Sequence, residues 1–107
     1  MVKNNNTLDS ITSVLQDNMP AGAKAILFGS QARGDANSES DWDILILLDK
    51  KKVTNEDFYE FAYPLIELGW TLDKTISPIM YTYEEWQKRR ITPFYKNVEK
   101  DGIEIWH

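Results

Sequence analysis

Alternation and helical spacing of apolar residues divide the chain into a series of short elements. Leu8, Ile11, Val14 and Leu15 form one apolar stripe, with Asn6 or Thr7 as the cap, which predicts a first helix ending by Asn18 before the breaker cluster Met19-Pro20-Ala21-Gly22. Residues 23–28 predict a short buried strand running into Gly29, and residues 30–34 a short helix or single turn. A polar loop, 35–40, follows. From Asp41 to Leu48 the pattern predicts a strand with Leu45 and Leu47 on one face and Trp42, Ile44, Ile46 and Leu48 on the other. Once the acids are passed both faces are apolar, so the strand is expected at the centre of a covered sheet.

The second half alternates in the same way. Thr54 with Asp57 resembles a capping box, and Phe58, Phe61, Ala62, Leu65 and Ile66 recur as one core-facing stripe. Pro64 is expected to kink that helix, and Leu68-Gly69-Trp70 to close it. A strand lies within 71–81, and Pro78 requires that it run at an edge or carry a bulge. Thr82-Tyr83-Glu84-Glu85 is a full capping box opening a helix that carries Trp86. Thr92-Pro93 opens a last helix with Phe94, Tyr95 and Val98, stopped by Gly102, and 103–106 alternates as a terminal strand.

Composition narrows the function classes. A chain of 107 residues, 42% hydrophobic and 12% aromatic, reads as one globular domain over 1–107 with no second substrate-binding domain. Without cysteine there is neither a disulfide framework nor a thiolate metal site. The single histidine, His107, is the last residue, which argues against histidine-centred catalysis. A formal charge of −5 makes a grip on extended nucleic acid unlikely yet remains compatible with a small nucleotide accompanied by cations. No apolar run reaches the length of about 20 residues needed for a membrane span. No secretion signal opens the chain, so a cytoplasmic protein is expected. Lys50-Lys51-Lys52 reads as a solvated turn.

The chemistry is concentrated between Gly29 and Asp43. A Gly-Ser turn opening a helix offers backbone N–H groups to a polyphosphate. Asp41 and Asp43, one residue apart at the start of the strand and therefore on one face, sit roughly 7 Å apart at the backbone and can hold magnesium. The reading without function, two acids capping neighbouring loops, is weakened by the adjacent Gly-Ser turn, because like charges so close repel unless a cation joins them.

Gly29-Ser30, ten further residues, and Asp41-x-Asp43, together with Ala32-Arg33-Gly34, resemble the signature of the DNA polymerase beta-like nucleotidyltransferases and of their small prokaryotic branch, the minimal nucleotidyltransferases. The resemblance implies an α/β (α+β) fold, a mixed twisted β-sheet flanked by helices, with strands near 24–28 and 75–81 beside 41–48. It implies transfer of a nucleoside monophosphate from ATP or another NTP to an acceptor hydroxyl. Asp41 and Asp43 would hold Mg2+ or Mn2+, while Gly29, Ser30 and Arg33 would hold phosphates. Arg33 alternatively forms a structural salt bridge to Asp35, Glu39 or one of the aspartates.

The family pattern also has a third carboxylate, on the strand after the second helix. Aligning 75–81 on that strand puts Ser77 at its place, as a nucleotide contact, and a neutral hydroxyl is a poor general base. Asp73 is the catalytic candidate to replace the acid if the strand bulges at Pro78; otherwise it is a solvated residue. Turnover is thereby put in doubt. Proteins resembling this one are often antitoxins paired with an all-helical HEPN-type partner. The alternative to an active enzyme is therefore a catalytically weak nucleotide-binding regulatory module on such a partner, whereas in an active enzyme the acceptor site is expected to be completed by a protein partner or by another subunit of a homo-oligomer.

Overall fold

The structure, a computed structural model, describes residues 5–107. Its frame is a four-stranded mixed sheet in the order β3-β2-β1-β4, with β1 Lys24–Phe28, β2 Trp42–Leu48, β3 Ile76–Thr82 and β4 Ile103–Trp106. β1 runs antiparallel to both β2 and β4, whereas β3 is parallel to β2. The expected mixed α+β sheet is thus present, with 42–48 as an inner strand and β1 and β3 on either side of it.

Period-2 patterning decides how β2 is covered. Trp42, Ile44, Ile46 and Leu48 enter one cluster with Ile11 and Leu15 of α1 (Asn5–Asn18) and with Phe61 and Leu65. Leu45 and Leu47 enter a second cluster with Trp86 of α5 (Tyr83–Lys88) and Val98 of α6 (Pro93–Asp101). The two faces are those read from the alternation. Each fully buried Ile or Leu here contributes about 1.5–3 kcal/mol of transfer free energy.

Local signals hold at most ends and fail at a few. Helix α1 is already under way at Asn5, so Asn6 and Thr7 lie inside its first turns rather than capping it, and Thr7 is buried. Thr54, Thr82 and Thr92 all cap as expected, each accepting a hydrogen bond from the backbone N–H three residues on. Thr54 opens α3 (Asn55–Asp57), and Lys50 Nζ reaches the buried Asp57 carboxylate at 2.8 and 3.0 Å, so this lysine of the basic turn is tied down rather than freely solvated.

From α3 the chain continues through a π-turn, Phe58–Ala62, into α4, Tyr63–Leu72. Pro64 stands in the first turn of α4, and its missing N–H coincides with this widening, in which Tyr63 N–H reaches back five residues to Phe58 O. The extra residue shifts the phase of the stripe. Phe58 is consequently exposed, at 38% of its surface, and Leu68 packs on the core in addition to Phe61 and Leu65. The helix also runs past the expected close at Gly69 to Leu72, ending at Asp73 in the left-handed conformation with φ 55°. Gly69 is required there because a Cβ would stand 2.6 Å from Lys74 O.

Candidate nucleotide and metal site

The front face of the sheet carries the candidate site at the end where β1 finishes and β2 and β3 begin. Phe28 pairs with Asp43, and Asp43 pairs with Ser77, so these three residues form one row across three strands and share a face. β2 starts at Trp42, which leaves Asp41 just outside it, at the end of the loop rather than on the strand. Its place is fixed by its neighbours: Trp42 N–H donates to Thr75 O at 2.9 Å, and Ser40 is held by Asn37. Gln31, buried on helix α2 (Ser30–Arg33), donates from Nε2 to Ser40 O at 3.3 Å and fastens that loop to the helix. Glu39 N–H donates to Asn37 Oδ1, completing a tight polar turn.

The Gly-Ser turn is packed directly on the acid. Gly29 adopts φ 75°, ψ −158°, and a Cβ placed on it would meet Asp43 Oδ2 at 2.5 Å. This is backbone territory open essentially to glycine alone. The Ala32 and Arg33 N–H groups turn back to Gly29 O, while the N–H groups of Ser30 and Gln31 have no hydrogen-bond partner among the described residues. Those two donors therefore stand next to the Asp43 carboxylate, beside an exposed Asp41.

The two acids and one arginine set the electrostatics of the site. Burial raises the Asp43 carboxyl above its ordinary value, the neighbouring Asp41 charge raises it further, and Arg33 lowers it. Arg33 itself forms the surface salt bridge Nε to Asp35 Oδ2 at 3.3 Å, one of the structural pairings foreseen for it. An exposed pair of this kind is weak enough to yield to a phosphate. Two neighbouring carboxylates fit magnesium or manganese, which are bound through one or two carboxylates and complete their shell with substrate phosphate oxygens.

No group of three or more His, Cys, Asp or Glu side chains suited to a metal occurs among the described residues. Ser77 is the residue on β3 beside Asp43. The β2–β3 register runs without a shift from Trp42↔Ile76 to Leu48↔Thr82, so Pro78 introduces no bulge. Pro78 is accommodated because β3 is an edge strand. Asp73 ends α4, is exposed, and borders a depression with Gly69, Trp70, Lys74 and Thr75; it is not among the charges acting on Asp43.

A feature that sequence spacing does not reveal lies on the other flank. Phe28, Gly29 and Arg33 line a pocket of about 170 Å³ with Phe94, Asn97, Val98 and Asp101 of α6. The two halves are more than sixty residues apart in the chain, and only the helical spacing of Phe94, Asn97 and Asp101 hints that they share a face.

A strand-turn-helix cradle with an acid pair at the mouth of the next strand is an arrangement suited to nucleotidyl transfer. The family model for the nucleotidyltransferase domain matches residues 8–104. A protein of Methanocaldococcus jannaschii, named provisionally as a protein adenylyltransferase, is 36% identical over 95 residues, covering 89% of this chain and 87% of that protein. A crystal structure of a toxin-antitoxin with AMP-PNP superposes with a TM-score of 0.64 at 25% identity, over 92% of this chain and 72% of that one. The fold also matches a crystal structure of the toxin-antitoxin MntA-HepT, with a TM-score of 0.59 at 22% identity over 96% of this chain and 72% of that one. The chain belongs to the nucleotidyltransferase domain family, as a minimal nucleotidyltransferase. Among the described residues no helix is long and apolar enough to cross a membrane.

Proposed function

We propose that this chain is a metal-dependent nucleotidyltransferase that moves an adenylyl group from ATP to a hydroxyl on a protein partner. The observation that carries this reading is the packing of Gly29 onto Asp43, which sets two unengaged backbone N–H groups beside an acid pair. Ser30 and the turn would hold the terminal phosphates, with Arg33 released from Asp35 to assist. Asp41 and Asp43 would hold Mg2+ or Mn2+, which when bound offsets the charge of the triphosphate and of the leaving pyrophosphate. A protein acceptor is supported by the name of the M. jannaschii relative, and a standing partner by the toxin-antitoxin complexes that share the fold. An all-helical HEPN-type protein is the partner this reading selects.

A second reading is favoured by Ser77. With a hydroxyl beside Asp43 and Asp73 at a helix end, no third acid joins the pair in a metal-suited group among the described residues. The acceptor's proton must then go to the partner or to water, and transfer by the isolated chain is slow. In that case the domain acts mainly as a nucleotide-binding restraint on its partner.

Calorimetry with a nonhydrolysable ATP analogue, with and without magnesium, tests the site. Binding that needs the metal and is lost in the Asp41→Asn, Asp43→Asn double variant is expected; equal binding by both proteins would overturn the reading. Incubation with radiolabelled ATP and the co-purifying partner tests the acceptor, and label is expected on the partner rather than on this chain.

A further inference from the structure

The pocket between the Gly-Ser turn and α6 differs from the rest of the candidate site in its chemistry. Its walls are apolar and aromatic: Phe28 and Phe94 meet edge to face with ring centroids 5.4 Å apart, and Val98 closes the floor. Two polar side chains, Asn97 and Asp101, stand one helical turn apart on α6. Neither is engaged in a hydrogen bond or ion pair among the described residues, whereas Arg33 on the same rim is paired with Asp35. At about 170 Å³ the pocket falls below the roughly 300–1,000 Å³ that encloses a drug-sized ligand, so it suits one planar ring system rather than a whole nucleotide.

Charge decides which part of a nucleotide enters. A phosphate inside would face the Asp101 carboxylate across a largely apolar space and be repelled, whereas Arg33 at the rim favours keeping the phosphates at the Gly-Ser turn. A base is uncharged, stacks on aromatic walls and presents hydrogen-bonding edges to the two polar groups. Asp101, when ionised, only accepts hydrogen bonds, and so favours a base edge that donates; Asn97 both donates and accepts. An exocyclic amino group is such a donor, and a carbonyl at the same ring position is its opposite; guanine also donates, from N1–H and its 2-amino group, so the choice of adenine comes from the ATP reading above and Asp101 is assigned to its 6-amino group. Adenine offers the amino group together with ring-nitrogen acceptors for the Asn97 amide.

We propose that this pocket holds the base of the nucleotide and that Asp101 makes it selective for adenine through the 6-amino group. The proposal rests on the reading that Gly29 and Ser30 hold the triphosphate, and it names the specificity determinant of that site. Phe28 links the two, since it lies in register with Asp43 on one side and forms the pocket wall on the other.

The test compares ATP with inosine triphosphate, which replaces the 6-amino group by a carbonyl and keeps the triphosphate and sugar. Nonhydrolysable forms are titrated with magnesium into the full chain. Wild type is expected to bind the adenosine form about 10-fold or more tightly, the scale of a hydrogen bond to a charged group. Asp101→Asn offers an amide that also donates to the carbonyl, so the preference is expected to fall to near parity. Removing a negative charge will tighten both ligands alike, and the ratio cancels that effect. The wild-type ratio needs no variant, and a melting curve verifies that Asp101→Asn is folded.

Inosine or guanosine triphosphate binding as tightly as ATP to wild type overturns the proposal. So does a ratio unchanged in Asp101→Asn, or equal binding of the two bases with weak binding of 2′-deoxy ATP, which would place the sugar in the pocket. Binding that is abolished by Asp43→Asn but shows no base preference refutes this inference alone. Absence of any nucleotide binding refutes the nucleotidyltransferase site with it.

Discussion

Replacing Gly29 by alanine separates two costs that most site mutations confound. The backbone at φ 75°, ψ −158° lies in a region essentially restricted to glycine, where another residue is strained by about 1–3 kcal/mol. For a domain of this size that strain corresponds to a fall in Tm of roughly 4–8 °C per kcal/mol. The added methyl also lands 2.5 Å from Asp43 Oδ2, closer than the two atoms can stay. The obstacle is the end of a two-torsion side chain rather than backbone, so the carboxylate can swing aside. Stability should therefore fall only by the backbone strain, while the acid leaves its row between Phe28 and Ser77. Urea unfolding gives the first quantity and calorimetry with magnesium and a nonhydrolysable ATP analogue the second. Gly22→Ala is the control, since Gly22 also has positive φ, at +83°, but precedes β1 at its other end. The expected result is that both variants lose stability and only Gly29→Ala loses nucleotide affinity. Two variants of equal nucleotide affinity, or a Gly29→Ala as stable as wild type, would refute the reasoning.

Three other outcomes follow from the same geometry. Burial and then Asp41 hold the Asp43 carboxyl above its usual 3.8, so between that value and the raised one the native state binds more protons than the unfolded chain. Stability conferred by the neutral acid is thus lost as pH rises through that window and is absent at pH 7; Asp43→Asn should melt higher than wild type at pH 7 without divalent ions, and a lower Tm would contradict the cause assigned. Ser77→Asp places an acid beside Asp43 and should raise labelling of the partner by up to the roughly 10²–10⁴-fold that general-base help supplies; if wild-type labelling is already fast and collapses in Asp73→Asn, the acid comes from the end of α4 instead. Thr82→Ala removes a fully buried cap that accepts from Glu85 N–H and should cost about 0.5–2 kcal/mol in urea unfolding, and an unchanged midpoint would mean that α5 is held by Trp86 alone.

What is legible in the sequence is what depends on near neighbours. The caps at Thr54, Thr82 and Thr92 act over three residues, and the two faces of β2 follow from an alternation that no tertiary contact can reverse. The alignment of Ser77 beside Asp43 follows from the family resemblance rather than from periodicity, which leaves the register of two strands open by steps of two residues. Phase and length of the helix after Thr54 are not legible, because one extra residue in the Phe58–Ala62 turn rotates everything behind it. Asp73 as its terminus is hidden for a related reason: an aspartate in the left-handed region imitates glycine, and Gly69, the more obvious stop, is needed for close approach to Lys74 O. Asp41 falls outside the strand because Trp42 N–H bonds Thr75 O, a contact across more than thirty residues. The pocket with α6 is of the same kind, made only when residues 28–33 meet residues 94–101.

The row Phe28-Asp43-Ser77 ties chemistry to strand alignment. Trp42 and Ile44 on either side of Asp43 point into the opposite cluster. A slip of β2 by a single residue would drive the carboxylate in among Ile11, Leu15 and Leu65 and put Trp42 out beside the turn. An unpaired charge cannot be accommodated there. The residue proposed to serve the nucleotide is in this way also a proofreader of the sheet: a chain that folds with Asp43 on the wrong side is penalised by a buried charge, so the correct alignment and the placement of the acid at the turn are selected together.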